Sequence, residues 1–236
     1  MTANIARRAS AEAVGTAFLV AVVVGSGIAA QRLSPGNVGL ELLENSTATG
    51  AGLVALILAL GPVSGAHFNP VVTLADRIRG RCTTGDALAY TVAQVVGAAA
   101  GAIVANLMFG MSAITLSTHT RSAGGLWLGE LVATFGLLVV ILGVAREPHP
   151  AVGAFAVGGY IAAAYWFTSS TSFANPAVTI GRTLTNSFAG IRPSSAPAFI
   201  VAQLAGGIAA IALARWWYAE EPAPELLLPH DRSEAP

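Results

Sequence analysis

Long apolar runs broken by short polar interruptions set the pattern of this chain. Six runs, roughly 10–31, 46–63, 85–109, 125–145, 151–168 and 196–218, predict helices long enough to cross a bilayer, which takes about 20 residues. Two further apolar patterns, about 69–78 and 175–185, are too short to cross. Each opens on an Asn-Pro pair, Asn69-Pro70 and Asn175-Pro176. Asn suits the N-cap, and Pro suits the first helical position, where its missing N–H is not needed. A half-helix that starts inside a membrane must be buried in protein or line a cavity, because its free N–H groups cannot face lipid.

The pattern also repeats. The two Asn residues are separated by 106 positions (175 − 69). The run from Glu12 (Glu-Ala-Val-Gly-Thr-Ala-Phe-Leu-Val) returns from Glu130 (Glu-Leu-Val-Ala-Thr-Phe-Gly-Leu-Leu), and Val92-Ala93-Gln94 returns as Val201-Ala202-Gln203. Three spans and one half-helix per copy is an odd number of crossings, so the second copy runs inverted. Inverted repeats with broken helices place the functional site near the midplane, at the repeat interface.

Composition narrows the class. With 54% hydrophobic and 10% charged residues, the chain is too apolar for an ordinary soluble domain. The formal net charge of zero gives no footing for nucleic acid, and the single cysteine, Cys82, excludes an intrachain disulfide or a Cys-based metal site. Arg7, Arg8 and the apolar run from Ala13 to Ile28 resemble a cleaved leader. The copy of this segment at Glu130 argues for a structural helix instead. Arg7, Arg8, Arg77, Arg79, Arg81, Arg146, Arg215 and Arg232 fall on one side, against Arg32, Arg121, Arg182 and Arg192 on the other. The positive-inside rule then predicts both termini in the cytoplasm of a multi-pass protein of the inner (plasma) membrane. The expected organisation is a short N-terminus (1–9), one channel domain (10–218, repeats about 10–109 and 125–218) and a solvated, disordered tail (219–236). Glycine is abundant, which fits close helix packing.

Ser64-Gly65-Ala66-His67-Phe68-Asn69-Pro70-Val71 and Asn175-Pro176-Ala177, set in a six-helix inverted repeat, resemble the aquaporin (major intrinsic protein) family over about residues 9–218. The resemblance implies an all-α fold of six transmembrane helices and two re-entrant half-helices, assembled as a homotetramer in the lipid bilayer with one pore per subunit. It implies a passive channel for small neutral solutes, with no enzymatic activity, no cofactor, no metal and no nucleic-acid partner. Asn69 and Asn175 would offer amide N–H donors to the solute, while the half-helix N-termini disfavour cations. Val71 departs from the family's alanine at that place. By the same resemblance Glu12 and Glu130 accept hydrogen bonds from loop amides, with Gln94 and Gln203 as their structural companions, and His67 corresponds to a pore histidine.

The filter positions follow by distance from the motifs. Twenty before Asn69 is Thr49, twelve before Asn175 is Ala163, three before it is Ser172 and three after it is Val178. Ala162 or Ala164 would replace Ala163 if the count slips, which leaves alanine in either case. Water-selective members carry aromatics, often a His, and an Arg directly after Asn-Pro-Ala. Here Val178 stands in the Arg position, which removes a charge and five N–H donors. A Thr, Ala, Ser and Val ring is expected to be wide. Arg182 lies one turn beyond Val178, in a vestibule or as a loop brace, and its counterpart one repeat earlier is Asp76. The filter is similar to that of bacterial aquaporins associated with arsenic resistance. The expected solutes are metalloid hydroxides such as arsenite, with methylated arsenicals, antimonite, glycerol and some water. A water and glycerol facilitator without a metalloid role is the alternative. A secondary transporter would need an ionisable coupling residue, for which only Glu12 and Glu130 offer themselves.

Overall fold

The structure is a computed structural model that describes residues 4–218; the expected tail, with Arg232, lies outside the described residues. Among the described residues eight α-helices run in the order α1 (Ile5–Leu33), α2 (Val38–Ser64), α3 (Pro70–Ile78), α4 (Thr84–Met108), α5 (Gly124–Val144), α6 (Pro150–Phe167), α7 (Pro176–Gly181) and α8 (Ala196–Trp217). α1, α2, α4, α5 and the segment ending in α8 are each long and apolar enough to span. α6 has 18 residues, about 27 Å at 1.5 Å per residue, just under the ~30 Å of a hydrocarbon core.

The predicted elements are all present, with three shifted boundaries. α1 starts at Ile5, capped by the Asn4 side chain on Ala6 N–H. α2 starts eight residues earlier than the hydropathy suggests, at Val38, with Asn37 accepting from Leu40 N–H. Its first turns carry Glu41, Glu44 and Asn45, which hydropathy reads as loop. They are helical because their polar groups find partners: Asn45 donates to Val23 O and Ser26 Oγ, and Glu44 accepts from Ser34 Oγ. α7 is shorter than expected, six residues followed by a 3-10 turn at Arg182–Leu184.

Packing follows the repeat. α1 packs on α2 and α4, and its equivalent α5 packs on α6 and α8, while α2 and α6 meet across the halves. Close approach needs glycine at the α1–α4 seam, where a Cβ on Gly97 or Gly101 would run into the carbonyls of Ala13 and Ala17. The α5–α8 seam repeats the device, with Gly206 against the Leu131 carbonyl. Small residues let helix backbones approach where lipid offers no hydrophobic drive to bring them together. α3 and α7 touch each other, and both rest on α4 or α8. The two short helices therefore sit inside the bundle, where their N-terminal N–H groups avoid lipid.

Candidate pore and selectivity filter

Each half-helix is entered through a backbone that side chains alone would not choose. Ala66 and Phe68 (φ 50° and 48°) and their repeat mates Ser172 and Ala174 (φ 48° and 50°) are non-glycine residues in the left-handed region. Each costs about 1–2 kcal/mol. Two fully buried carboxylates hold these turns. Glu12 accepts from His67 N–H (3.0 Å), Phe68 N–H (2.7 Å), Ser64 Oγ (2.6 Å) and Gln94 Nε2 (2.8 Å). Glu130 accepts from Phe173 N–H and Ala174 N–H (both 2.9 Å) and from Gln203 Nε2 (2.6 Å). The Gln amides also donate to Thr73 and Thr179, whose hydroxyls return to the carbonyls of Asn69 and Asn175.

The two Asn residues close the centre. Asn69 Oδ1 accepts from Val71 N–H, and Asn175 Oδ1 accepts from Ala177 and Val178 N–H, so each caps its own half-helix. The amide nitrogens cross over: Asn69 Nδ2 donates to Ala174 O (2.8 Å) and Asn175 Nδ2 to Phe68 O (2.7 Å). An amide has two N–H donors, so one on each side chain remains for what lies between. Pro70 and Pro176 stand at the first helical positions, and Val71 is fully buried, packed towards Gly207.

What lies between is a cavity of about 50 Å³ that both Asn side chains line. By the ~10–15 Å³ a water requires, it holds a short file of water-sized molecules. Most of the wall is aliphatic, including Leu19, Val23, Leu53, Ile57, Leu137 and Ile141. The polar exceptions are the Asn pair, His67, Thr49, Ser172, Tyr165 and Arg182. His67 faces the cavity with its ring held by Thr73 Oγ1 (3.1 Å) and by Asp76 (Nε2 to Oδ2, 3.7 Å).

Three of the four expected filter residues, Thr49, Ser172 and Val178, line the cavity; Ala163 does not. It is exposed on the outer face of α6, while Val157, Ile161 and Tyr165 face inward. Counting back from Asn175 runs through the 168–174 connection, and the turn of α6 about its axis, which a count along the sequence does not supply, decides which residue faces in. Neither alanine neighbour replaces it: the inward residue is a tyrosine, whose Oη lies 3.2 Å from Thr49 Oγ1. The spacing 157, 161, 165 is one helical face, and reading it as such would have found Tyr165. Tyr165 adds a ring and a hydroxyl to the cavity wall where the sequence suggests only an alanine. Phe173, also on the wall, was likewise not foreseen.

Arg182 is buried rather than in an open vestibule. Its Nε donates to the Ala189 carbonyl, bracing the following loop, and its guanidinium lies over the Phe173 ring at 3.3 Å while still lining the cavity. Arg121, from the α4–α5 connection, approaches the same ring at 5.2 Å and donates to Gly190 O and Phe188 O.

A bundle of spanning helices around two facing half-helices, with a polar thread through an apolar cavity, defines a transmembrane channel rather than an enzyme. The chain belongs to the major intrinsic protein family, the aquaporins, whose model matches residues 1–156 and 151–232. It is 51% identical over 213 residues to aquaglyceroporin AqpS of Rhizobium meliloti, covering 90% of this chain and 91% of that protein. Aquaporin AqpM of Methanothermobacter thermautotrophicus is 31% identical over 242 residues, covering 88% of this chain and 95% of its own. The X-ray structure of the aquaglyceroporin from Plasmodium falciparum superposes with a TM-score of 0.70 at 22% identity, over 89% of this chain and 95% of that one, which speaks for the shared fold.

Proposed function

We propose that the protein conducts small uncharged, hydroxyl-rich solutes passively, with metalloid hydroxides such as arsenite as the main class and methylated arsenicals, antimonite, glycerol and some water also passing. Val178 carries this reading. It lies on the cavity wall in the first turn of α7 and brings two methyls where a cationic side chain would fill the opening and bind solvent. Trivalent arsenic as As(OH)₃ is neutral at neutral pH, close to glycerol in size and covered with hydroxyls. The aliphatic wall takes its apolar flank, while Asn69, Asn175, Thr49 and Tyr165 meet its oxygens. The relative named an aquaglyceroporin supports a solute larger than water.

In this reading residues 10–218 form one channel domain. Thr49, Tyr165, Ser172 and Val178 form the filter, and Asn69 and Asn175 the central relay. The functional unit is a homotetramer in the inner (plasma) membrane with both termini in the cytoplasm. The arginine bias supports that orientation. Proteoliposome uptake of arsenite, antimonite and glycerol beside osmotic water flux is the test. Free water passage with exclusion of all three solutes overturns the reading; glycerol flux without arsenite flux leaves a glycerol and water facilitator. Val178→Arg is expected to cut arsenite and glycerol uptake by about tenfold or more while the tetramer still assembles.

A further inference from the structure

We infer that Arg182 is a specificity-determining residue of this channel: its guanidinium docks solute oxygen and repels cations, one helical turn from Val178. This rests on the channel reading above and adds to it which side chain supplies the charge.

The donor count points there first. Only Nε of Arg182 is engaged, by the Ala189 carbonyl. Among the described residues nothing accepts from Nη1 or Nη2, and neither atom is sealed from the cavity that the residue lines. The residue is only 2% exposed overall. The four remaining N–H donors of this buried cation on the cavity wall thus have no protein acceptor, and burial makes unmet donors costly unless something in the cavity accepts from them. A hydroxyl oxygen of a polyol or a metalloid hydroxide accepts and carries no charge. A cation offers no lone pair and meets a positive charge at low dielectric, where repulsion is strong.

The aim of the group is fixed from two further sides. The guanidinium carbon lies over the Phe173 ring, 3.3 Å from its centroid, so the group cannot swing away from the cavity without losing that contact. Arg121 on the same ring adds positive charge nearby. Arg182 also follows α7, whose six residues make fewer than two turns. A helix that short develops less of the N-terminal positive potential that excludes cations, so a side-chain charge on this side has more to do. Thr49 and Tyr165, with their hydroxyls 3.2 Å apart, complete the polar end of the wall.

Acetamide and acetamidinium, nearly identical in size and differing in charge, test the assignment in proteoliposomes of the full chain. The unmodified protein is expected to pass acetamide and exclude acetamidinium; loss of acetamide flux there overturns the channel reading itself. Arg182→Gln keeps an N–H for the Ala189 carbonyl and removes the charge. It is expected to raise the ratio of acetamidinium to acetamide flux about tenfold, while Arg182→Lys keeps the exclusion. An Arg182→Gln channel that conducts acetamide and still excludes acetamidinium as tightly as the unmodified protein overturns the inference. Should that variant not fold, Phe173→Leu releases the guanidinium without changing any charge. It is expected to leak acetamidinium about threefold more, and unchanged exclusion in it is equally decisive against Arg182.

Discussion

On the Asn69 side, the His67 ring lies beside the turn into α3 with Asp76 3.7 Å away; on the Asn175 side, the ring is Phe173 and the charge above it is Arg182. The positions correspond: 67 with 173 and 76 with 182, each 106 apart like the two Asn residues. Everything beneath them is shared, namely a buried Glu, a Gln, a Thr and a left-handed pair of residues. The difference teaches that the repeat conserves the architecture that opens a half-helix inside a bilayer, while the ring and the charge one turn further on are free to diverge. A symmetric scaffold with an acid at one end and a base at the other is a polar axis laid across the membrane.

The scaffold half of that comparison breaks most visibly at the carboxylates. Glu12→Ala strands the N–H groups of His67 and Phe68, and Glu130→Ala those of Phe173 and Ala174. Each is expected to lose roughly 3–5 kcal/mol, because a buried donor left unmet costs about 1–3 kcal/mol. Thermal unfolding in detergent measures it, and two very unequal losses would show that the halves are not equivalent supports. A smaller matched pair is Gly97→Ala and Gly206→Ala, which drive a methyl into the Ala13 and Leu131 carbonyls. About 1–3 kcal/mol is expected from each, and a neutral result at either would place that seam further apart than the structure has it.

Smaller effects come from the side where the halves part. Tyr165→Phe removes the contact with Thr49 Oγ1 and leaves the ring. Glycerol uptake is expected to change by roughly twofold to fivefold, the equivalent of one ordinary hydrogen bond, with stability almost unchanged. No response in flux would take Tyr165 out of the filter. The least perturbing probe is Cys82, which has Phe188 at the corresponding place in the other repeat. Burial, with Asp76 and Asp86 adding to it, pushes its thiol up to about 11. A raised thiol pKa leaves little thiolate at neutral pH, so iodoacetamide labelling is expected to be slow at pH 7 and to accelerate only as pH rises towards 11. Solute flux is expected to stay as it was, and rapid labelling at pH 7 would mean that Cys82 is more open than the structure places it.

Much of this was legible because it is written twice. The Asn-Pro pairs, the Glu pair and the Gln pair stand at repeating distances, and each is a local signal: a cap, a buried acid, a companion amide. Two things were not local. Tyr165 depends on how α6 is turned about its axis, which a count made from Asn175 across the 168–174 connection does not supply. The start of α2 depends on partners for Asn45 and Glu44 that come from α1 and its end. Arg182 lay between: its helix face could be read, but its burial over Phe173 could not. A charged residue next to a membrane edge ordinarily reads as solvated.

The crossed bonds of the Asn side chains have a consequence for how the molecule is made. While only the first half is in the membrane, Asn69 Nδ2 and the Phe68 carbonyl each lack the partner that the second half supplies. The centre is thus completed only after the last helices arrive, and a nascent chain halted in the α4–α5 connection holds an unfinished, high-energy turn. Biosynthesis of this protein is expected to end at its middle: the conducting point closes last, and from both directions at once.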